Sequence, residues 1–597
     1  MASFDRDRRV WSGPRQPCVF NPQCNFGQIV LNLLERSTEK VIQIDGDTGR
    51  TMTRAEMRLR VVRVAQNLQK LGYGVGDIAS VVAVNSENLA PLVLGLQVIG
   101  VGFNALAPTF DEDEMAHMMR QTQSKLLFCD ADNYDTVKAA ADKAINEPFR
   151  VFVMEDARDE TLSVEQLFKP TGTEHVFYPR YLGDSYKLIA NITCSSGTTG
   201  LPKGVCFSHA QTISGFCKVA NFDDGICLNF STLYWGTGVY VLNMAVMNNS
   251  TRLITRRPFS ADLFFELIGK YKIKFLYTPA SYATAIIGDP RVSGTDLSSI
   301  KVWALGASNV SEAIRDAVDA TLKPTGRSYN FYGTSECGFL AADFLKRKPN
   351  AVGKVGTNMQ ARIISDSGEP LGVGEQGEVV VKSVGIPFLG YYKNEEASRE
   401  ALDKDGWFLT GDIGFFDEEG YLHLVDRKKD ILKYMGNQVS PSEVEAVIQQ
   451  IPEVLQVCVT GVPNEDKTSD LVTAVIRKFP MAQLLAEDVV EFVANRLSDA
   501  KHIRGGVHFV DEFPMTSNGK IIRRKVRQML LDGIIDISYY CPKFGNHYSS
   551  FDKVVGAAAS TYANGQPASP ELAAKLNFAL NATPMWPQKI PEIISQG

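Results

Sequence analysis

The sequence lacks a basic surplus. Its 597 residues hold 62 Lys and Arg against 68 Asp and Glu, a formal net charge of -6. The basic residues are dispersed, which excludes the electrostatic footprint of a nucleic-acid binder. Paired cysteines are missing too. Ten cysteines are scattered and no two are spaced as CxxC. Neither a disulfide framework nor a thiolate metal centre is expected, and a reducing compartment fits. Long apolar runs are also absent. The most apolar stretch, "LAPLVLGLQVIGVGF" from Leu89 to Phe103, falls short of the about 18 to 20 residues of a membrane span. It contains Pro91, Gln97 and glycines, so it reads as a buried helix running into a strand. The opening "MASFDRDRRVWSG" has charges but no apolar segment, so no secretory signal is expected. The closing "IISQG" is not the Ser-Lys-Leu peroxisomal address. The expected location is intracellular, peroxisomal or cytoplasmic.

What is present is an ordinary globular composition, 44% hydrophobic and 22% charged, in a chain too long for one core. Short apolar runs alternate with helical patterns. "DIASVVAV" (Asp77 to Val84), "KLLFCD" at Lys125, "RVFVMED" at Arg150, "KIKFLYTP" at Lys272 and "SIKVWALG" at Ser299 read as buried strands of βαβ units. From about Gly353 to Gly420 glycine-rich turns separate short runs such as "GEVVVKS" and "GYLHLVD", which suggests an antiparallel region. The pattern restarts after "VDRKKDILK". "PSEVEAVIQQI" reads as a helix with Ser440 as N-cap and Pro441 in its first turn. The expected fold is α/β: a large N-terminal domain of parallel-sheet βαβ subdomains plus a small antiparallel barrel-like region, then a small mobile α+β C-terminal domain. The expected boundaries are an N-terminal extension over 1–24, a large domain over 25–428, a small domain over 429–532 and a loosely ordered extension over 533–597.

One loop carries chemistry. "SSGTTGLPKG" (Ser195 to Gly204) combines glycines, hydroxyls and one lysine, as a phosphate cradle does. It departs from a Walker A loop at two places. Pro202 precedes Lys203 and Gly204 follows it, and "GVCFSH" is β-prone where a helix should start. The loop therefore reads as a strand-loop-strand turn whose backbone N–H groups form an anion nest.

The loop resembles the phosphate loop of the adenylate-forming superfamily of acyl-CoA synthetases, 4-coumarate:CoA ligases and beetle luciferases. Further stretches are similar in order and spacing: "YNFYGTSECG" (Tyr329 to Gly338), "GWFLTGDIGFFDEEGYLHLVDRKKD" (Gly406 to Asp430), "GNQVSPSEVE" (Gly436 to Glu445) and "FPMTSNGKIIRRKVRQ" (Phe513 to Gln528). The match spans roughly residues 25–532, and its wording is nearest to luciferases and 4-coumarate ligases. The resemblance implies a two-step reaction. A carboxylate attacks the α-phosphate of ATP, and coenzyme A then displaces AMP. It implies ATP, Mg2+ and coenzyme A, with a small carboxylic acid as the remaining partner.

The resemblance also implies roles. Ser195, Ser196, Gly197, Thr198, Thr199, Gly200 and Lys203 hold the β- and γ-phosphates. Gly306, Ala307 and Ser308 form the strip between adenine and the acyl group. Asn330, Phe331, Tyr332, Gly333 and Ser335 line the nucleotide, with Tyr332 against adenine and Ser335 near the α-phosphate. Glu336 is the magnesium ligand. Asp412 accepts from the ribose hydroxyls, and Arg427 reaches the ribose or the phosphate. Lys520 bridges the carboxylate and the α-phosphate. Lys429 is the hinge, while Lys433 and Gly436 lie toward coenzyme A. Tyr234, Trp235, Ala307, Phe339 and Leu340 line the acyl pocket.

The chain departs from luciferases and coumarate ligases at Met435, in "KYMG" where "KYKG" is common. Tyr234 and Trp235 stand where beetle luciferases carry a His pair, which favours an acid:CoA ligase over the alternative, a luciferase-like monooxygenase. No "GGxS" carrier site occurs in the tail, which disfavours a carrier-protein adenylation module.

Overall fold

The computed structural model describes residues 2–157, 159–195, 202–215, 224–306, 310, 312–322, 324–344, 346–464, 466–479, 481–516 and 520–535. The chain divides into two compact units. One holds Met1–Lys429 with Thr516–Lys520, the other Asp430–Met515 with the described residues from Ile521 to Ile535.

Three sheets build the large unit. The first runs in the order Lys203–Ser208, Ile189–Ser195, Gly102–Ala105, Ile78–Val82, Leu126–Cys129, Arg150–Val153. Its last five strands are parallel, whereas Lys203–Ser208 returns antiparallel along Ile189–Ser195. Strands covered on both faces read as unbroken apolar runs, and Ile78–Val82 is buried at every position. The helix Leu89–Val98 is likewise buried all round and leads into Gly102–Ala105, as its composition predicts.

Among the described residues the second sheet has nine strands, the outermost being Lys354–Val355 beside Gly338–Ala342. A parallel core runs through Arg327–Thr334, Val302–Gly306, Ile273–Pro279, Ile226–Asn229, Thr251–Ile254 and Val41–Asp45. Antiparallel neighbours, Gly338–Ala342 and Thr51–Thr53, flank it. The helix Arg54–Lys70 is capped by Thr53, which accepts from the Glu56 N–H. Its Met57, Val61, Ala65 and Leu68 form the buried stripe.

The third sheet is antiparallel: Ser3–Asp5, Val10–Ser12, Met359–Ile364, Gly377–Ser383, Phe408–Phe416, Leu422–Arg427. Its first two strands come from the segment that the sequence reading sets apart as an extension. The cause is aromatic packing. Trp11 stacks between Phe4 and Phe416 with ring centroids 4.3 Å away on each side. The surrounding charges, Asp5 to Arg9, hide that anchor in the sequence.

The second unit contains a hairpin, Leu432–Tyr434 with Asn437–Val439, and a sheet of Val454–Pro463, Asp470–Lys478 and Val507–Phe509. Helices Pro441–Ile448, Ala486–Ala494 and Arg523–Leu531 accompany them. Ser440 caps the first helix, accepting from the Glu443 N–H at 3.3 Å. Val439, Val444, Ile448, Val459, Val472 and Val489 belong to its core. Among the described residues no helix is long and apolar enough to cross a membrane.

Candidate active site

The strands on either side of "SSGTTGLPKG" pair with Lys203 opposite Ser195. As "GVCFSH" predicts, a second strand rather than a helix starts at Lys203, since β-branched and aromatic residues favour it. Ser196, Gly197, Thr198, Thr199 and Gly200 lie outside the described residues, as do Ala307 and Ser308. Ser195 is buried at the end of its strand. The Lys203 ammonium lies 5.2 Å from the Tyr391 ring centroid.

The strand Arg327–Thr334 carries Asn330, Phe331, Tyr332 and Gly333. It runs parallel to Val302–Gly306, the strand that ends on Gly306. A buried ion pair backs it. Asp343 accepts from the Asn330 N–H at 2.9 Å and pairs with Arg315, whose side chain is fully buried. Removing one partner of such a pair strands a charge in the interior. Gly333 is dictated by sterics, because a Cβ there would lie 2.5 Å from the Gly338 carbonyl oxygen. The following turn is tied by the Cys337 N–H donating to Thr334 Oγ1 at 3.1 Å, and it presents Ser335 and Glu336.

Asp412 and Arg427 face one another across the antiparallel strands Phe408–Phe416 and Leu422–Arg427. Arg427 Nε lies 2.8 Å from Asp412 Oδ1. The Tyr332 hydroxyl donates to Asp412 Oδ2 at 2.6 Å. Both carboxylate oxygens are engaged, and Asp412 is 6% exposed. An ionised carboxylate has about four lone-pair sites, so two remain for further donors. The sequence reading assigns Tyr332 a place against adenine. The structure adds a bond that motif spacing could not reveal, because it joins residues 80 positions apart. Burial and the neighbouring Asp412 charge push the Tyr332 phenol well above its usual range, so it remains a donor.

Glu336 is the second acid. The Tyr391 hydroxyl donates to its Oε1 at 2.9 Å. Burial pushes the Glu336 carboxyl above the usual range; the Tyr391 bond and the Arg427 charge hold it down, and the Asp412 charge pushes it up. Glu336, Asp412 and Arg427 thus share one electrostatic environment. Among the described residues no three His, Cys, Asp or Glu are grouped to hold a metal by themselves. Mg2+ bound with a nucleotide takes only one or two protein carboxylates and fills its shell with phosphate oxygens and water. A half-buried carboxylate held by one phenol hydrogen bond fits that demand.

Behind Asp412, Glu378 accepts from the Gly411 N–H at 3.1 Å and from Lys428 Nζ at 3.1 Å. The Lys428 N–H donates to the Gly411 carbonyl at 2.8 Å. These bonds fix the "TGD" turn relative to "DRKK". Sequence reasoning passed over Glu378, Asp343 and Tyr391. The run "GYYKN" (Gly390 to Asn394), a glycine and two tyrosines before turn residues, is the signal that could have found Tyr391.

The expected acyl-pocket residues fall in different clusters. Tyr234 packs edge-on to Phe110 and Trp235 at 5.3 and 4.8 Å, within a core of Leu106, Met115, Met118 and Cys194. Phe339 meets Phe331 and Phe344. Leu340 is 3% exposed and packs with Trp11, Val355 and Phe416, so the antiparallel core accounts for its apolar character. Alternation along Gly338–Ala342 turns adjacent residues to opposite faces, which separates Leu340 from Phe339.

Lys429 is the last residue of the first stretch of the large unit. In the second unit, the Lys433 N–H donates to Asp470 Oδ2 at 3.2 Å. Met435 and Gly436 form a two-residue hairpin turn with φ of +46° and +81°. Such a turn needs positive φ at both positions, a strained choice for methionine, whose side chain is exposed. Lys520 closes a short loop. Its N–H donates to Thr516 Oγ1 at 3.0 Å and its carbonyl accepts from the Thr516 N–H at 2.8 Å.

Two family models match the chain: AMP-binding enzyme over residues 33–392 and AMP-binding enzyme C-terminal domain over 443–520. A probable 4-coumarate–CoA ligase of Dictyostelium discoideum is 28% identical, over 86% of this chain and 96% of that protein. Luciferin 4-monooxygenase of Photinus pyralis is 29% identical, over 80% and 89%. The structure of the anthranilate CoA ligase AuaEII in complex with anthranoyl-AMP superposes with a TM-score of 0.77 at 21% identity, covering 86% of this chain and 99% of that one. At that identity the likeness concerns the fold. The family models span well over half of the residues, and the chain belongs to the AMP-binding enzymes, the adenylate-forming superfamily.

Proposed function

We propose that the protein is an ATP-dependent acid:CoA ligase acting on a hydrophobic aryl or fatty carboxylic acid. The observation that supports this most is the shared site of Asp412, Arg427 and Glu336, with Tyr332 donating to Asp412. In this reading Asp412 is the ribose acceptor and Arg427 the cation for phosphate, on paired strands, and Glu336 is the metal ligand, on the turn after Arg327–Thr334. The 4-coumarate–CoA ligase relatives support the choice of a thioester-forming second step.

In this reading the substrate supplies its own nucleophile. The acid's carboxylate oxygen bonds to the α-phosphorus, the bond to the bridging oxygen breaks, and pyrophosphate leaves. Lys203 and the phosphate loop hold the departing phosphates. Lys520 offsets charge at the α-phosphate and aligns the carboxylate. Glu336 would hold Mg2+, which would supply positive charge against the phosphates. The coenzyme A thiol then attacks the acyl carbon, AMP leaves with the electron pair, and the thiol proton passes to solvent. Positioning and preorganised charge supply the rate, as for other reactions that build negative charge. Lys429 acts as the pivot between the two steps, and Gly436 leaves room for the pantetheine arm.

The test is a product screen with ATP and acids of graded length and aromaticity, with and without coenzyme A. AMP release that requires coenzyme A, with a thioester product, supports the ligase. Light and AMP release without coenzyme A would replace this reading with the monooxygenase. No turnover of any acid would overturn both.

A further inference from the structure

Tyr391 touches both charged residues of the phosphate end of the site, and no motif accounts for it. We propose that Tyr391 is a positioning residue that aims the Glu336 carboxylate at nucleotide-bound metal with its hydroxyl and seats the Lys203 ammonium with its ring. The inference rests on the reading of this site as the ATP site.

The hydroxyl donates to Glu336 Oε1 at 2.9 Å, and the ring centroid is 5.2 Å from Lys203 Nζ. Phe388 meets the ring edge-on at 5.3 Å. The backbone around Tyr391 has little freedom. Its N–H donates to Ser398 Oγ at 2.8 Å, and that hydroxyl donates to the Asn394 carbonyl at 2.6 Å. On either side, the Gly390 carbonyl accepts from the Cys206 N–H at 3.0 Å, and the Tyr392 N–H donates to the Gly204 carbonyl at 2.7 Å. Tyr391 is therefore fastened to the strand Lys203–Ser208 that carries the lysine.

The choice of tyrosine follows from charge. An arginine or lysine here would neutralise Glu336, and an aspartate would neutralise Lys203. A neutral phenol does neither. It donates one hydrogen bond to the anion, and its ring face attracts the cation. Both groups are held in place while their charges remain available, the acid for a metal and the ammonium for phosphate.

Two variants of the full chain separate the two functions. Tyr391→Phe keeps the ring and removes the hydroxyl; Tyr391→Leu removes both. Calorimetry without acid substrate measures the affinity for ATP in EDTA and for ATP with Mn2+, and urea unfolding measures stability. Tyr391→Phe should keep wild-type stability and metal-free ATP affinity. Its affinity for Mn2+·ATP should fall roughly tenfold, the low end for one hydrogen bond to a charged group. Tyr391→Leu should also weaken metal-free ATP binding. Wild-type Mn2+·ATP affinity in Tyr391→Phe, or an equal loss with and without metal, would overturn the proposal while leaving the ATP site standing. If the wild-type protein binds neither form of ATP, the ATP site itself is overturned and this inference with it. The phenylalanine variant decides the metal arm alone, so the outcome does not depend on the leucine variant folding.

Discussion

Asp412 is held at one oxygen by Tyr332 and at the other by Arg427, and this sets what its loss should do. Asp412→Ala leaves a buried phenol and a guanidinium without their acceptor, which costs on the order of 1–3 kcal/mol for the stranded groups. On the proposed reading it also removes the ribose acceptor. We expect a lowered urea midpoint and at least tenfold weaker AMP binding by calorimetry. Tyr332→Phe should lose stability and keep most AMP affinity. Equal AMP binding in wild type and Asp412→Ala would remove Asp412 from the nucleotide site. At this scale the sequence was informative where spacing within a motif decides the role. Asp412 and Arg427 sit in one 25-residue stretch, and a hairpin pairs them. Tyr391 and Glu336 are 55 positions apart, and Asp343 backs Asn330 across a turn. Such bonds depend on how strands register, which no local pattern encodes.

Elements carry their own tests. The strand Val10–Ser12 is anchored by Trp11, which is 3% exposed between two stacked rings. Trp11→Ala should destabilise the large unit by about 3–5 kcal/mol, the usual cost of deleting a buried aromatic, read as a lowered thermal midpoint. An unchanged midpoint would mean that the strand is dispensable. His209 offers a pH test. Its Nδ1 accepts from the Phe26 N–H at 2.9 Å at the start of the helix Phe26–Leu34. Its Nε2 has no hydrogen-bond partner among the described residues. Burial lowers its pKa from 6.5 to about 4. The folded state therefore resists a proton that the unfolded state accepts below pH 6.5. The contribution is fully present above pH 6.5 and is lost as pH falls toward 4. Between pH 7 and pH 5 the loss is about 2 kcal/mol. Urea titrations at both values should show His209→Asn losing less stability than wild type by about that amount, and equal losses would contradict the assignment. Most strands were legible because parallel strands covered on both faces are mostly apolar, as in Ile78–Val82, where Ile78, Ala79, Val81 and Val82 surround one buried serine. The N-terminal strands were not, because three-residue elements between charges carry no period.

Over the whole molecule, two units with separate cores divide the chain after Lys429. Five ordered motifs made the family readable. The acyl pocket was not, because apolar residues that would line a pocket and those that fill a core look alike; Leu340 belongs to a core. The central claim is adenylation of an acid with Lys520 at the α-phosphate. Acid-dependent exchange of labelled pyrophosphate into ATP, without coenzyme A, tests it most directly. Wild-type protein should catalyse the exchange with an acid that it converts to a thioester. Lys520→Ala should lose roughly 10²-fold or more, as for a lost oxyanion donor, while still binding ATP. Exchange at the wild-type rate in Lys520→Ala, or no exchange with any such acid in the wild type, would contradict the account.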